Sequence, residues 1–126
     1  MGFVVRVRVD DIAAAHHLPG YDGPCARPHG HNWSLEAVIA AEDLHEEMVV
    51  DFAVIKSVLR AIDHTDLNDD PDLAAGGRRP TAERLAVVLA RRVQTRLDAQ
   101  PNRPRLVELT VRETTRNIVV YTPPGA

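Results

Sequence analysis

HGHNWSLEAVIAA, residues 29–41, alternates as far as Ala37 before an all-apolar end: His29, His31, Trp33, Leu35, Ala37 and Ile39 fall on one side, Asn32, Ser34 and Glu36 on the other. A period of two is the pattern of a strand with one buried face, so the stretch predicts a strand over Trp33–Ala41 that extends back through the two histidines. Upstream, FVVRVRVD (residues 3–10) sets Phe3, Val5, Val7 and Val9 against Arg6, Arg8 and Asp10, a second strand of the same kind. Between them, residues 12–18 are apolar and small around His16 and His17, and Pro19, Gly20, Asp22, Gly23 and Pro24 mark a loop. The two strands are expected to form an antiparallel hairpin.

Downstream the period changes. Asp51 is a candidate N-cap, and Ile55, Val58, Leu59 and Ile62 follow at helical spacing, with the helix ending near residues 63–68. Residues 68–80, rich in Asp, Gly and Pro, predict a loop. Thr81 is placed to cap a second helix with Leu85, Val88, Leu89, Val93 and Leu97 on its core face and Arg91, Arg92 and Arg96 on its solvated side. Pro101 and Pro104 break the chain, and residues 106–113 and 117–121 form a last pair of strands around a turn at Thr114–Arg116. The order ββααββ, without βαβ alternation or internal repeat, predicts an α+β domain over residues 1–126: a four-stranded antiparallel sheet with two helices on one face.

The 126 residues suffice for one domain, and 44% apolar with 26% charged residues is globular composition. A formal net charge of −3 with no long basic run gives no footprint for nucleic acid or an anionic membrane surface. Arg6, Arg8 and Asp10 interrupt the first apolar stretch, so neither a signal peptide nor a membrane span is expected and the protein is placed in the cytoplasm. Cys25 is the only cysteine, which excludes an intramolecular disulfide.

His29 and His31, two apart on a strand, project from one face and can reach a single ion. If the hairpin forms, His16 comes back beside His31, and three neutral imidazoles suit Zn²⁺ with a fourth position left for substrate or water. On spacing alone a chance pair of surface histidines fits equally, and His17 competes with His16, because adjacent residues on an extended chain point in opposite directions. His45, alone in an acidic segment, reads as a solvated residue. Glu113 continues the face of Val107, Leu109 and Val111, so a carboxylate ends an apolar stripe where a purely structural strand prefers an aliphatic residue.

Taken together, AAAHHLP at 13–19, CARPHGHNW at 25–33, MVVDFAVIK at 48–56, DHTDLN at 63–68, PTAERLA at 80–86 and VRET at 111–114 closely resemble the 6-pyruvoyltetrahydropterin synthase superfamily, which includes bacterial 6-carboxytetrahydropterin synthase. The motifs run in order along nearly the whole chain. The resemblance implies the tunnelling fold (T-fold), in which four-stranded sheets from several subunits close into a barrel and two rings stack, usually as a homohexamer (a dimer of trimers). It implies zinc held by His16, His29 and His31, Cys25 as the base, Asp63 and His64 as a proton-relay pair, Glu113 as the carboxylate that anchors the pterin, and Thr81 as a hydroxyl near it. Active sites then lie between subunits, with the base and the Asp–His pair drawn from different chains. The partner implied is a small molecule, a reduced pterin triphosphate.

The chemistry suits those residue types. Zn²⁺ makes the side-chain hydroxyls of 7,8-dihydroneopterin triphosphate more acidic. A thiol is a useful base near neutral pH only when its thiolate is favoured, and Cys25 is four residues before His29, close along the chain to the expected cation. His64 can shuttle protons near pH 7 with Asp63 to orient it, and a carboxylate at Glu113 can accept two parallel hydrogen bonds from an amino-pyrimidine edge. Each residue also has a plainer reading: a lone cysteine as a small apolar group, Asp63 and His64 as solvated residues at a helix end, Thr81 as an N-cap.

The spacing Cys-x-x-x-His-Gly-His resembles the 6-carboxy branch, whose members release triphosphate and acetaldehyde and form 6-carboxy-5,6,7,8-tetrahydropterin on the route to the deazapurine queuosine. Asn32 and Trp33 look more like the 6-pyruvoyl branch, which eliminates triphosphate without carbon–carbon cleavage. Ile12 stands where the family usually has an aromatic, and Arg79 where it has Asn or a similar polar residue. Arg27, Arg78 and Arg79 are candidates to meet a triphosphate by charge alone. A non-catalytic pterin- or zinc-binding module is the reading from another class, and retention of Cys25, Asp63 and His64 argues against it.

Overall fold

Alternating valines and charges build β1 (Phe3–His16), which runs antiparallel to β2 (His29–Ala41), in a computed structural model that describes residues 2–125. β1 is longer than the valine alternation indicated, because it continues past Asp10 through a bulge. Its register with β2 shifts between Val9 and Ile12, where Asp11 takes a left-handed φ of 56°. The extra residue changes the parity of the strand. Val7 and Val9 on one side of the bulge, and Ile12, Ala14 and His16 on the other, are therefore all buried on the same face.

β4 (Arg105–Arg112) pairs antiparallel with β2, and β5 (Ile118–Tyr121) with β4. A second irregularity, opposite Val38 and Ile39, sets Leu106 in the core beside Leu109 and Val111 and leaves Val107 half-buried, so the apolar stripe leading to Glu113 begins at Leu106 and not at Val107. The sheet has five strands rather than four. The additional one, β3 (Thr65–Asp66), lies parallel to β1 at Ala14 and Ala15 and gives the order β3-β1-β2-β4-β5. Two residues are too few to show a period of two, which is why the sequence does not announce it.

The helices stand at the places the periodicity indicates. α1 (Phe52–Arg60) is capped by Asp51, whose carboxylate accepts the Ala53 N–H at 2.9 Å, and it buries Ile55 and Leu59. α3 (Ala82–Leu97) is capped by the Thr81 hydroxyl, which accepts the Arg84 N–H at 3.0 Å, and Leu85, Leu89, Val93 and Leu97 have no exposed surface. Each such side chain stabilises the fold by about 1.5–3 kcal/mol relative to exposure. Between them a single turn, α2 (Pro71–Ala74), replaces part of the loop expected over residues 68–80; Asp70 caps it and Leu73 seals against the core. Arg92, placed on the solvated side by helical spacing, is half-buried instead. Its guanidinium reaches Asp70 at 2.7 Å and Asp72 at 3.0 Å, tying α3 to that turn. No helix among the described residues is long and apolar enough to cross a membrane.

Candidate metal centre

The β1–β2 hairpin opens at its histidines. His16 closes β1 directly across from His29, while His31 faces Ala14, so the partner of His16 in the ladder is His29 and not His31. Alternation puts all three rings on one face, with centroids 4.4 Å (His16–His29), 4.9 Å (His29–His31) and 5.1 Å (His16–His31) apart. One ring nitrogen from each lies within 4.8 Å of the others, and among the described residues this is the group arranged to share an ion.

Backbone carbonyls set the tautomers of two of these rings. His16 Nδ1 is 2.7 Å from the Pro80 carbonyl and His29 Nδ1 is 2.8 Å from that of Arg27. A carbonyl only accepts, so each Nδ1 carries the proton and donates it, and each Nε2 keeps its lone pair. Nε2 of His16 and of His31 is buried without a hydrogen-bond partner. Buried polar atoms left unpaired are costly, and three neutral imidazoles are a donor set that suits Zn²⁺, so these residues fit the ion. Trp33, fully buried, forms the floor: its ring stands 5.1 Å from that of His16 and 5.2 Å from that of His31, and its indole N–H donates to the Ala14 carbonyl at 3.1 Å.

Glu113 joins the centre from just beyond β4. Its carboxylate oxygens stand 3.7 Å from His16 Nε2 and 3.6 Å from His31 Nε2. Burial pushes the His31 imidazole below the ordinary histidine range, with Glu113 opposing the shift and the charges of His16 and His29 adding to it. From the same carboxylate a cleft of about 430 Å³ leads away past Glu83, Arg116, Ile118 and Val119.

The other candidates lie outside the imidazole cluster of their own chain. Asp63 and His64 run along the free side of β1. There the Asp63 carboxylate accepts the Ala13 N–H at 2.8 Å and meets His64 Nδ1 at 3.1 Å. The Ala13 N–H is the chief cause that holds the Asp63 carboxyl below its usual range. His64 sits at a left-handed φ of 60°, donates its backbone N–H to the Ala13 carbonyl and leaves its ring 83% exposed. Cys25 is exposed on a one-turn helix, Pro24–Ala26, whose position is fixed by the Leu18 N–H donating to the Cys25 carbonyl at 2.7 Å. Thr81 uses its hydroxyl to cap α3. The Arg79 guanidinium stands 5.9 Å over the Tyr21 ring.

Sequence reasoning missed Pro80 and Arg27 as the carbonyls that orient the ligands, Trp33 as the floor of the centre, and Asn68, which clasps the backbone of His17. Only Asn68 and Trp33 carry a side-chain signal, and in a turn-rich stretch and an apolar stripe it is that of a turn and a core residue.

A helix-covered, mainly antiparallel sheet with three convergent imidazoles that could hold a metal ion at the mouth of its central hairpin is the arrangement of a tunnelling-fold enzyme. The sequence profile of the 6-pyruvoyl tetrahydropterin synthase family matches residues 5–124, and the chain belongs to that family. It is 37% identical over 117 residues to the 6-carboxy-5,6,7,8-tetrahydropterin synthase of Bacillus subtilis (strain 168), covering 89% of this chain and 80% of that one. To the probable 6-carboxy-5,6,7,8-tetrahydropterin synthase of Halobacterium salinarum it is 35% identical over 123 residues, covering 86% and 80%. The solved structure of Caenorhabditis elegans 6-pyruvoyl tetrahydropterin synthase superposes with a TM-score of 0.72 at 26% identity, over 95% of this chain and 96% of that one.

Proposed function

We propose that the chain is a zinc-dependent lyase that converts 7,8-dihydroneopterin triphosphate and one water to 6-carboxy-5,6,7,8-tetrahydropterin with loss of acetaldehyde and triphosphate, in the cytoplasm, on the deazapurine (queuosine) route. The observation that carries the reading is the convergence of His16, His29 and His31 with two buried, unpaired Nε2 atoms, in a chain 37% identical to a protein named for the 6-carboxy product. The 126 residues act as one T-fold domain, and copies associate as a homohexamer that brings the relay pair of one subunit to the base of another. Exposure of Cys25 and of the His64 ring on the single chain supports that division of labour.

Zinc on the three imidazoles would lower the pKa of the substrate's side-chain hydroxyls. Cys25 Sγ removes a proton from the side chain of the pterin, and the His64 ring returns one. Asp63 Oδ1 holds Nδ1 of that ring, 3.1 Å away, in a fixed orientation. Glu113 accepts the N–H groups of the amino-pyrimidine edge, and the Thr81 hydroxyl borders the ring. The position of Glu113, 3.6 Å from His31, supports this role because it ties pterin recognition to the ion that meets the side chain.

The test is incubation of zinc-loaded protein with 7,8-dihydroneopterin triphosphate, with pterins read by mass spectrometry and acetaldehyde assayed in parallel. Acetaldehyde with the 6-carboxy product supports the proposal. A 6-pyruvoyl product without acetaldehyde moves the chain to the sister reaction, and zinc binding without conversion makes it a binding module.

A further inference from the structure

We infer that Asn68 is a positioning residue of the metal centre: by clasping His17 it selects His16, and not its neighbour, as the ligand from β1. The inference rests on the metal-centre reading above and adds to it a residue that does not touch the ion.

β1 ends at His16 and His17 follows it directly, and on an extended chain the two side chains belong to opposite faces. A slip of one residue would exchange them at the centre, since a register shift of one moves every side chain to the other face. On the β2 side the ladder is continuous from Ile12 to His16 but stops there, and on the other side it is short. β3 supports the free side of β1 with only two pairs, Ala14 with Thr65 and Ala15 with Asp66, and the bulge at Asp10–Asp11 already shows that β1 changes parity in this structure.

Asn68 continues the ladder where β3 stops. Its side-chain oxygen accepts the His17 N–H at 2.9 Å and its amide nitrogen donates to the His17 carbonyl at 3.0 Å. One side-chain amide thus satisfies both backbone groups of His17, as a further strand residue would. The same nitrogen stands 3.4 Å from His17 Nε2, which keeps that imidazole against Asn68 and away from the cluster. Asp66 fixes Asn68 in turn by accepting its N–H at 3.0 Å. Inside the sheet the Pro80 carbonyl holds His16 Nδ1 at 2.7 Å, so the ring is oriented from within and its backbone neighbour is pinned from without. His17 Nδ1 is buried with no partner, so nothing on that ring competes with the clasp.

Removal of a group that orients a metal ligand costs on the order of 10–100-fold in affinity. The experiment measures Zn²⁺ affinity by competition with a chelating dye, and the visible spectrum of the Co²⁺-loaded protein, for the wild type, Asn68→Ala, Asn68→Asp and His17→Ala. Asn68→Ala is expected to weaken Zn²⁺ about tenfold or more and to alter the Co²⁺ spectrum. Because both hydrogen bonds to the His17 backbone are lost, the unfolding temperature of the metal-free protein should also fall by several degrees, so affinity and spectrum are read at a temperature where both metal-free proteins are fully folded. Asn68→Asp, which still accepts the His17 N–H, restores part of the affinity, and His17→Ala binds as the wild type does. Wild-type affinity in Asn68→Ala, or loss of metal in His17→Ala, overturns the inference. Turnover is not read, so a chain that binds zinc through His16 and acts on a different pterin leaves the result standing.

Discussion

The Glu113 carboxylate and the His16 imidazole face each other across 3.7 Å, so the acid that ends the apolar stripe of β4 meets the one buried histidine of β1 at the centre. Two assignments for Glu113 follow from this contact, metal ligand or pterin anchor, and substitution separates them. Glu113→Ala is expected to leave zinc at one per chain and to weaken binding of a dihydropterin by about 3 kcal/mol, on the order of 100-fold, because charge-assisted hydrogen bonds are lost. Zinc content by elemental analysis and pterin affinity by fluorescence titration decide the matter. Loss of zinc with unchanged pterin affinity would make Glu113 a ligand.

The imidazoles make the opposite prediction. His29→Ala removes a donor whose tautomer is already set by the Arg27 carbonyl, and zinc affinity should fall by more than the ~10–100-fold that loss of an outer partner causes. Dialysis of the wild type against a strong chelator should abolish turnover, and zinc should restore it. Activity that persists in the metal-free protein would remove the ion from the reaction.

Asp63 ties pH to the same region. Its carboxyl is held below the usual range chiefly by the Ala13 N–H and then by His64, so the folded chain favours the ionised form. A depressed carboxyl contributes stability that is complete above its unfolded pKa, about 3.9, and is lost as the pH falls through the lower folded value. The link between residues 63–66 and β1 should therefore weaken below about pH 4. Asp63→Asn, which keeps an oxygen for Ala13 but no charge, should flatten that acid limb in urea unfolding measured against pH. Parallel curves for the two proteins would show that Asp63 has no part in it.

Much of this was legible in the residues, and the exceptions have a common cause. Val5, Val7 and Val9 announce β1, Ile55 and Leu59 announce α1, and the i, i+2 pair His29 and His31 announces the centre, because each rests on a side-chain period. The bulge at Asp10–Asp11 breaks that period, so alternation alone ends the strand at Asp10 and leaves His16 and His17 equivalent; geometry separates them. β3, with two residues, and α2, with four, span about one period each, too few for the pattern to repeat. The carbonyls of Pro80 and Arg27 act through backbone atoms, which every residue carries, so no residue type marks them.

The last prediction concerns the thiol, since it alone separates an enzyme from a pterin-binding module. Binding needs His16, His29, His31 and Glu113 but no base, and Cys25 is exposed on its one-turn helix, where packing does not require a small apolar residue. On the proposed function Cys25 acts as the base at a boundary between subunits, and a positioned base contributes about 10²–10⁴-fold to the rate. Cys25→Ala should therefore lose turnover by about that factor while zinc content, pterin affinity and unfolding temperature stay at wild-type values. Cys25→Ser should be nearly as slow, because a hydroxyl is a far weaker proton acceptor than a thiolate near pH 7. Steady-state rates of acetaldehyde release for the three proteins decide it: equal rates would take the base away from Cys25.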